Sequence, residues 1–194
     1  MPFFKPSYFF DLLSYKHRQL FENCEFVWQA LPKISSFLKT LSLGNIETEI
    51  PVGAYLINPD QISIGKGTIV EPGAYIKGPC VIGENCSIRH GAYIRGDVIA
   101  GNHCVIGHAT EIKNAIMLDG AHAAHFAYVG DSILGNKVNL GAGTICANLR
   151  LDQNPIVIRY EGRALPTDLR KLAHMVPAPK FTLFPKMESP TYAK

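Results

Sequence analysis

The chain has little charge, no paired-cysteine motif and no long apolar run, and each shortage removes a class of protein. Asp, Glu, Lys and Arg make up 18% of its 194 residues, while 47% are hydrophobic. An average globular chain carries roughly 25% charged residues, and a disordered one has the reverse balance, so disorder is excluded. Lys and Arg number 19 against 16 Asp and Glu, a formal net charge of +3. That is too small for a phosphate-neutralising surface, and no nucleic-acid partner is expected. The five cysteines include no CxxC, and nothing resembles the dense cysteine framework of a small secreted domain. A reducing, cytoplasmic setting is expected. No apolar run reaches the roughly 18 residues of a spanning helix, and the first residues lack the pattern of a secretory signal, so no membrane span is expected.

What the sequence does contain in quantity is glycine (17) and proline (13), and their distribution divides the chain. Between Phe9 and Leu43 there is one proline, Pro32, and no glycine. There Cys24, Val27, Trp28 and Leu31 have the spacing of an amphipathic helix, with Asp11 as a candidate N-cap. A second short helix is predicted from about Lys33 to Leu41. Residues 1–46 are therefore expected to form an α-helical arm, or a cap over one open end of the region beyond residue 46.

From about Gly53 a fixed period takes over. Ile64, Val70, Ile76, Ile82, Ile88, Ile94, Ala100, Ile106 and Ile112 are six residues apart without exception. One five-residue step then gives Met117, sixes lead to Ala123 and Val129, a second five-residue step gives Leu134, and Leu140 and Cys146 come next. The fourth residue after each anchor is small or compact, as at Thr68, Ala74, Cys80, Cys86, Ala92 and Cys104. One aliphatic and one small inward position per six residues describe a narrow prism, the hexapeptide β-helix signature. Three hexads make a triangular coil, so the 15 hexads from Ile64 to Cys146 predict about five coils. Glycines directly after the anchors, such as Gly65, Gly83, Gly101 and Gly107, suggest corners needing unusual backbone angles. The fold class is thus mainly β, a parallel β-helix over 47–148 with an irregular tail over 149–194, where Ile156 to Tyr160 is the one strand candidate. Cys80, Cys86 and Cys104 fall in the small inward slot, which points to packing rather than redox or metal chemistry.

On such a prism, residues one coil apart lie above one another. His90, His108 and His125 each stand two positions after their anchors and form a ladder; Lys77, Arg95 and Lys113 stand one position after theirs and form a second ladder on the next face. Three stacked cations repel unless an anion lies nearby. Tyr128 falls between the two ladders.

The stretch His125-Phe-Ala-Tyr-Val-Gly-Asp-Ser-Ile-Leu-Gly-Asn-Lys-Val-Asn-Leu-Gly-Ala-Gly-Thr-Ile-Cys-Ala-Asn148 closely resembles the acetyltransferase domain of the bifunctional UDP-N-acetylglucosamine pyrophosphorylase and glucosamine-1-phosphate N-acetyltransferase. The resemblance covers 64–148, including both five-residue steps. It implies a left-handed helix, a homotrimer with active sites between subunits, acetyl-CoA as co-substrate, and an amino-sugar phosphate or nucleotide-sugar as acceptor. By position it makes His125 the general base that takes a proton from the sugar amine. It gives Arg95 and Lys113 to the phosphate or nucleotide, Tyr128 and Asn139 to the sugar, and Ala142 and Asn148 to the acetyl-CoA side. It calls for no metal.

Departures accompany the likeness. The glycine-rich nucleotidyltransferase domain of that family is absent, so no pyrophosphorylase activity is expected. Leu149 stands where the family has an aromatic residue, and the hexads stop after Asn148, so the coenzyme half looks shortened. Two other functions are therefore weighed. One is a non-catalytic trimer that binds a nucleotide-sugar. The other is a zinc enzyme resembling γ-carbonic anhydrases, suggested by Ile94-Arg-Gly-Asp-Val98 and by His103, His108 and His125, but disfavoured by Lys113 in the slot of a further histidine.

Overall fold

In a computed structural model, residues 4–177 are described; the expected irregular tail is traced to Pro177, and its part over 178–194 lies outside the described residues. Three parallel sheets wind into a solenoid, the arrangement of a parallel β-helix. Each strand pairs with one a coil further on, Ser87 with Val105 and, across a five-residue step, Ala123 with Leu140.

The first sheet, here the arm face, contains Ile62–Ile64, Cys80–Ile82, Val98–Ala100, Ala115–Met117, Ile133–Leu134 and Met175–Val176. The second, the histidine face, contains Ile69–Val70, Ser87–Ile88, Val105–His108, His122–His125 and Asn139–Leu140. The third, the tyrosine face, contains Tyr55–Ile57, Tyr75–Lys77, Tyr93–Ile94, Glu111–Lys113, Tyr128–Gly130 and Ile145–Cys146.

The prism is longer than the hexad count from Ile64 at both ends. Leu56 pairs with Ile76 and Ile46 with Ile64. The 3-10 turn Pro59–Gln61 breaks the six-residue period there, so the first coil lies within the expected 47–148 but outside the hexad count. At the other end the chain leaves after Asn148, forms an antiparallel hairpin from Val157–Tyr160 and Arg163–Pro166, and returns to add Met175–Val176 beside Ile133 and Leu134. The tail is therefore more regular than its lack of hexads suggests.

The anchors and small slots fill the interior: Ile76, Ile88, Ile94, Ile106 and Ile112 are buried with Ala74, Cys86, Ala92 and Cys104. Burying each large aliphatic side chain contributes roughly 1.5–3 kcal/mol. Thr68 and Thr110 are tolerated inside because each hydroxyl donates to a carbonyl, of Gly83 and Ala123, and accepts an N–H, of Cys86 and Ala127. All five cysteines are free, and four are buried.

The glycines directly after anchors owe their identity to space rather than to backbone angle. A Cβ on Gly107 would lie 1.7 Å from the Ala124 carbonyl oxygen, and one on Gly83 2.5 Å from that of Gly101. The left-handed backbone falls elsewhere in the turns, at residues such as Asn85, Asp97, Asn114 and Asp131.

The N-terminal segment takes the arm form of the two expected, and its helical content is broken into shorter pieces than predicted. Its helical pieces are short: Pro6–Phe9, a 3-10 turn at Arg18–Phe21, a 3-10 stretch at Val27–Lys33 containing Pro32, and an α-helix at Ile34–Leu38. Cys24 lies outside them, and Asp11 caps no helix; its carboxylate accepts the Leu13 N–H. Gln29 instead organises the entry to the 3-10 stretch, its side-chain oxygen accepting the N–H groups of Glu25 and Phe26. Pro32, unable to donate an α-helical hydrogen bond, keeps Val27–Lys33 from continuing as one α-helix.

The arm lies along a flank of the prism instead of closing an end. Val81, Ile99, Ile116 and Ile133 point outward from the arm face and are buried with Phe10, Leu20, Trp28, Leu31 and Leu38 in a second core. The hairpin joins it, with Tyr160 edge-on to Phe4 at 5.2 Å. Among the described residues no helix is long and apolar enough to cross a membrane.

Candidate active site

The period places His108 and His125 in direct register on neighbouring strands. His90 and His108 stack with ring centroids 5.9 Å apart, and Phe126 meets His108 edge-on at 4.9 Å. His90 Nδ1 is 2.7 Å from the Pro72 carbonyl and His108 Nδ1 3.2 Å from that of His90. A carbonyl only accepts, so Nδ1 carries the proton in both rings. His125 is exposed at the top of this ladder. Its carbonyl accepts the Gly143 N–H, which sets Ala142 one coil above it. Asn139 pairs in register with His122 on the same face. No strand among the described residues lies beyond Asn139–Leu140, so among them this edge is unpaired.

The second cluster centres on Asp131, which the hexad pattern alone does not single out. Its carboxylate accepts from Lys113 Nζ at 2.7 Å, from Asn114 Nδ2 at 2.7 Å, and closely from Asn148 Nδ2. Only 6% of the Asp131 side chain is exposed, so these donors replace the water the carboxylate has lost. Gly130 makes room: a Cβ there would lie 2.6 Å from Tyr128 Oη and 2.9 Å from Asn148 Nδ2. The returning tail fixes the cluster from outside, Leu172 donating to the Asn148 carbonyl and Ala173 to that of Asp131.

The cation ladder is partly neutralised. Arg95 pairs with Glu111 at 2.5 Å and Lys113 with Asp131, which supplies the anions such a stack requires. The Glu111 hydrogen bond raises the Arg95 pKa still further. Arg95 also lies over the Tyr93 ring at 5.9 Å.

The predicted residues thus fall into two groups within one chain. His125, Asn139 and Ala142 occupy the upper histidine face, while Lys113, Tyr128 and Asn148 gather around Asp131 on the tyrosine face and its far corner. Arg95 stands one coil below Lys113. His103 belongs to a different corner, between Val98–Ala100 and Val105–His108, so it does not join His108 and His125. Asp131 does carry a signal in the sequence: Asp97, Asn114 and Asp131 recur one coil apart at left-handed positions, a polar column with Asn148 next in line.

Comparisons with known proteins show what the chain as a whole is similar to. The family model of the GMPPB C-terminal domain matches residues 76–159. A bifunctional sugar-1-phosphate nucleotidylyltransferase/acetyltransferase of Sulfurisphaera tokodaii is 28% identical over 95% of this chain and 48% of its own length. The bifunctional protein GlmU of Methanococcus maripaludis is 41% identical over 34% of the chain and 16% of its own length. That of Nitrosospira multiformis is 34% identical over 54% and 23%. The chain spans about half the length of the first relative and less of the others. It resembles the C-terminal acetyltransferase region of such proteins.

Proposed function

We propose that this chain is a hexapeptide-repeat acyltransferase that moves an acetyl group from acetyl-CoA to the amine of an amino-sugar phosphate or nucleotide-sugar, in a reaction of the glucosamine-1-phosphate N-acetyltransferase type. One observation carries the reading: His125 is exposed, directly below Ala142 at the unpaired edge of the histidine face. A histidine so placed is available to take a proton from an incoming ammonium, leaving a lone pair on nitrogen. The nitrogen then attacks the thioester carbonyl, its oxygen gains charge, and collapse breaks the carbon–sulfur bond; the amide nitrogen sheds its extra proton and the departing coenzyme thiolate takes one up to leave as the thiol. The backbone N–H of Ala142, in the turn after Asn139–Leu140, would steady that oxygen. Lys113, held by Asp131, supplies positive charge for the acceptor, with Arg95, Tyr128 and Asn139 as its further contacts and Asn148 on the coenzyme side.

A homotrimer is part of this proposal. The two residue groups lie on adjacent faces of one prism, and a neighbouring subunit brings such faces together. Tyr55, Tyr75 and Tyr93 form an exposed aromatic stripe with ring centroids 6.3 and 5.3 Å apart, a surface suited to subunit contact.

The test mixes purified protein with acetyl-CoA and glucosamine-1-phosphate or its nucleotide-linked counterpart and measures free thiol. His125→Ala should lower kcat by about 10²–10⁴-fold; thiol release no faster in wild type than in this variant overturns the reading. The edge at Asn139–Leu140, unpaired among the described residues, favours one alternative, a nucleotide-sugar-binding trimer without turnover. Acetyl-CoA that fails to raise the melting temperature, beside a nucleotide-sugar that does raise it, selects that alternative.

A further inference from the structure

The turn after the histidine ladder contains a strained residue that the fold does not use. Phe126 has φ 49°, a left-handed conformation in which a bulky side chain crowds its own backbone. It is the only Phe, Tyr or Trp at positive φ among the described residues. Equivalent turns hold Gly73, Gly91, Ala109 and Gly143, and the backbone pattern is continuous: Ala109, Phe126 and Gly143 donate in turn to the carbonyls of His90, His108 and His125. The ring is 58% exposed, so core packing does not explain it. Strain of this kind marks functional positions more often than structural ones.

Its surroundings indicate a ligand class. Phe126, His108 and His90 form a run of aromatic rings along the histidine face, Phe126 edge-on to His108 and His108 stacked on His90, leading away from Ala142 and Asn148. Arg89 adjoins His90, half-buried and without an ion-pair partner among the described residues. Glu71, one coil below, is already committed to the His90 N–H at 2.7 Å. Arg95 and Lys113, by contrast, are paired with carboxylates. From His125 to His90 is two coils, about 10 Å, the scale on which a diphosphate joins a sugar to a base.

We infer that this edge is a nucleotide subsite, and that the acceptor is a nucleoside-diphosphate sugar rather than a sugar 1-phosphate. The hexose lies against Phe126 beside His125, the diphosphate meets Arg89, and the base stacks toward His90. This rests on the transfer reading above, in which His125 faces the acceptor.

The probe is UDP, titrated calorimetrically beside pyrophosphate and 3′,5′-ADP. UDP should bind at least tenfold tighter than either, and Arg89→Gln and Phe126→Gly should each weaken it at least tenfold. Phe126→Gly should also melt higher than wild type, because glycine relieves the left-handed strain, so weaker binding there cannot be a folding defect. UDP binding no tighter than pyrophosphate, tighter binding of 3′,5′-ADP, or unchanged UDP affinity in both variants overturns the subsite. Glucosamine-1-phosphate acetylated efficiently by a protein that ignores UDP would sink the inference and leave the transfer reading standing. UDP bound as described without thiol release would uphold the subsite and reject transfer.

Discussion

Asp131 joins stability to function because it is a carboxylate deprived of water and satisfied by three side chains at once. Removing it leaves Lys113 largely buried and unpaired, which costs more than the pair itself gains. Asp131→Ala should lower the unfolding free energy by about 3 kcal/mol in urea titrations. Adding Lys113→Met should recover part of that loss, because the orphaned charge is gone. His17 is a second informative residue. Only 6% exposed, it sits edge-on to Tyr15 and Phe37, and burial, helped by neighbouring Lys16, pushes its pKa from 6.5 down to about 4. The folded state therefore favours the neutral ring, while the unfolded chain takes up a proton near the ordinary value. Stability from this site is complete above about pH 6.5 and is lost as pH falls toward 4, on the order of 2 kcal/mol by pH 5. His17→Leu should flatten the dependence of melting temperature on pH between 7 and 5; an unchanged slope would exclude His17 as its source.

At the scale of elements, the arm is the clearest case of dependence on tertiary packing. Its helical pieces span seven residues at most, too short to persist alone, and are held by apolar contact with Val81, Ile99, Ile116 and Ile133. Without residues 1–43 those side chains face water, each at a cost of roughly 1.5–3 kcal/mol. The shortened chain should melt lower and bind hydrophobic dyes, and a truncated protein melting like the full chain would show the arm to be dispensable. The turns are shaped by space in one place and by backbone angle in another. Where one coil's backbone presses on the next, as at Gly107 below Ala124, no side chain fits; where the backbone turns left-handed, Asn and Asp serve beside glycine.

For the whole molecule, the exposed stripe of Tyr55, Tyr75 and Tyr93 is the feature a monomer would least explain. Sedimentation should give about three times the chain mass of 21.3 kDa, and Tyr75→Glu should shift the protein toward monomer by placing charge within an apolar contact. A wild-type monomer at micromolar concentration would remove the basis for assembling the two residue groups across subunits.

The solenoid was legible because its cause is local and repeated. An aliphatic residue every six positions and a small one four later leave a narrow prism as the simplest way to bury both, so the stacking of His90, His108 and His125 came from counting. A six-residue period does not reach aperiodic segments: the register of Leu56 with Ile76 across Pro59–Gln61 and the strand Met175–Val176 are set by contacts with residues distant in sequence. The period puts Arg95 and Lys113 on one ladder but does not reveal that Glu111 and Asp131 hold them, since ion pairing depends on side-chain directions that a period does not specify. The sequence by itself thus determined the prism, its interior and the order of its ladders, because each repeat imposes its own geometry on the next. Only the tertiary structure decided where the arm and hairpin lie, which cations remain free, and that Phe126 stands strained and exposed beside the histidines, because these depend on which surfaces meet once the coils are stacked.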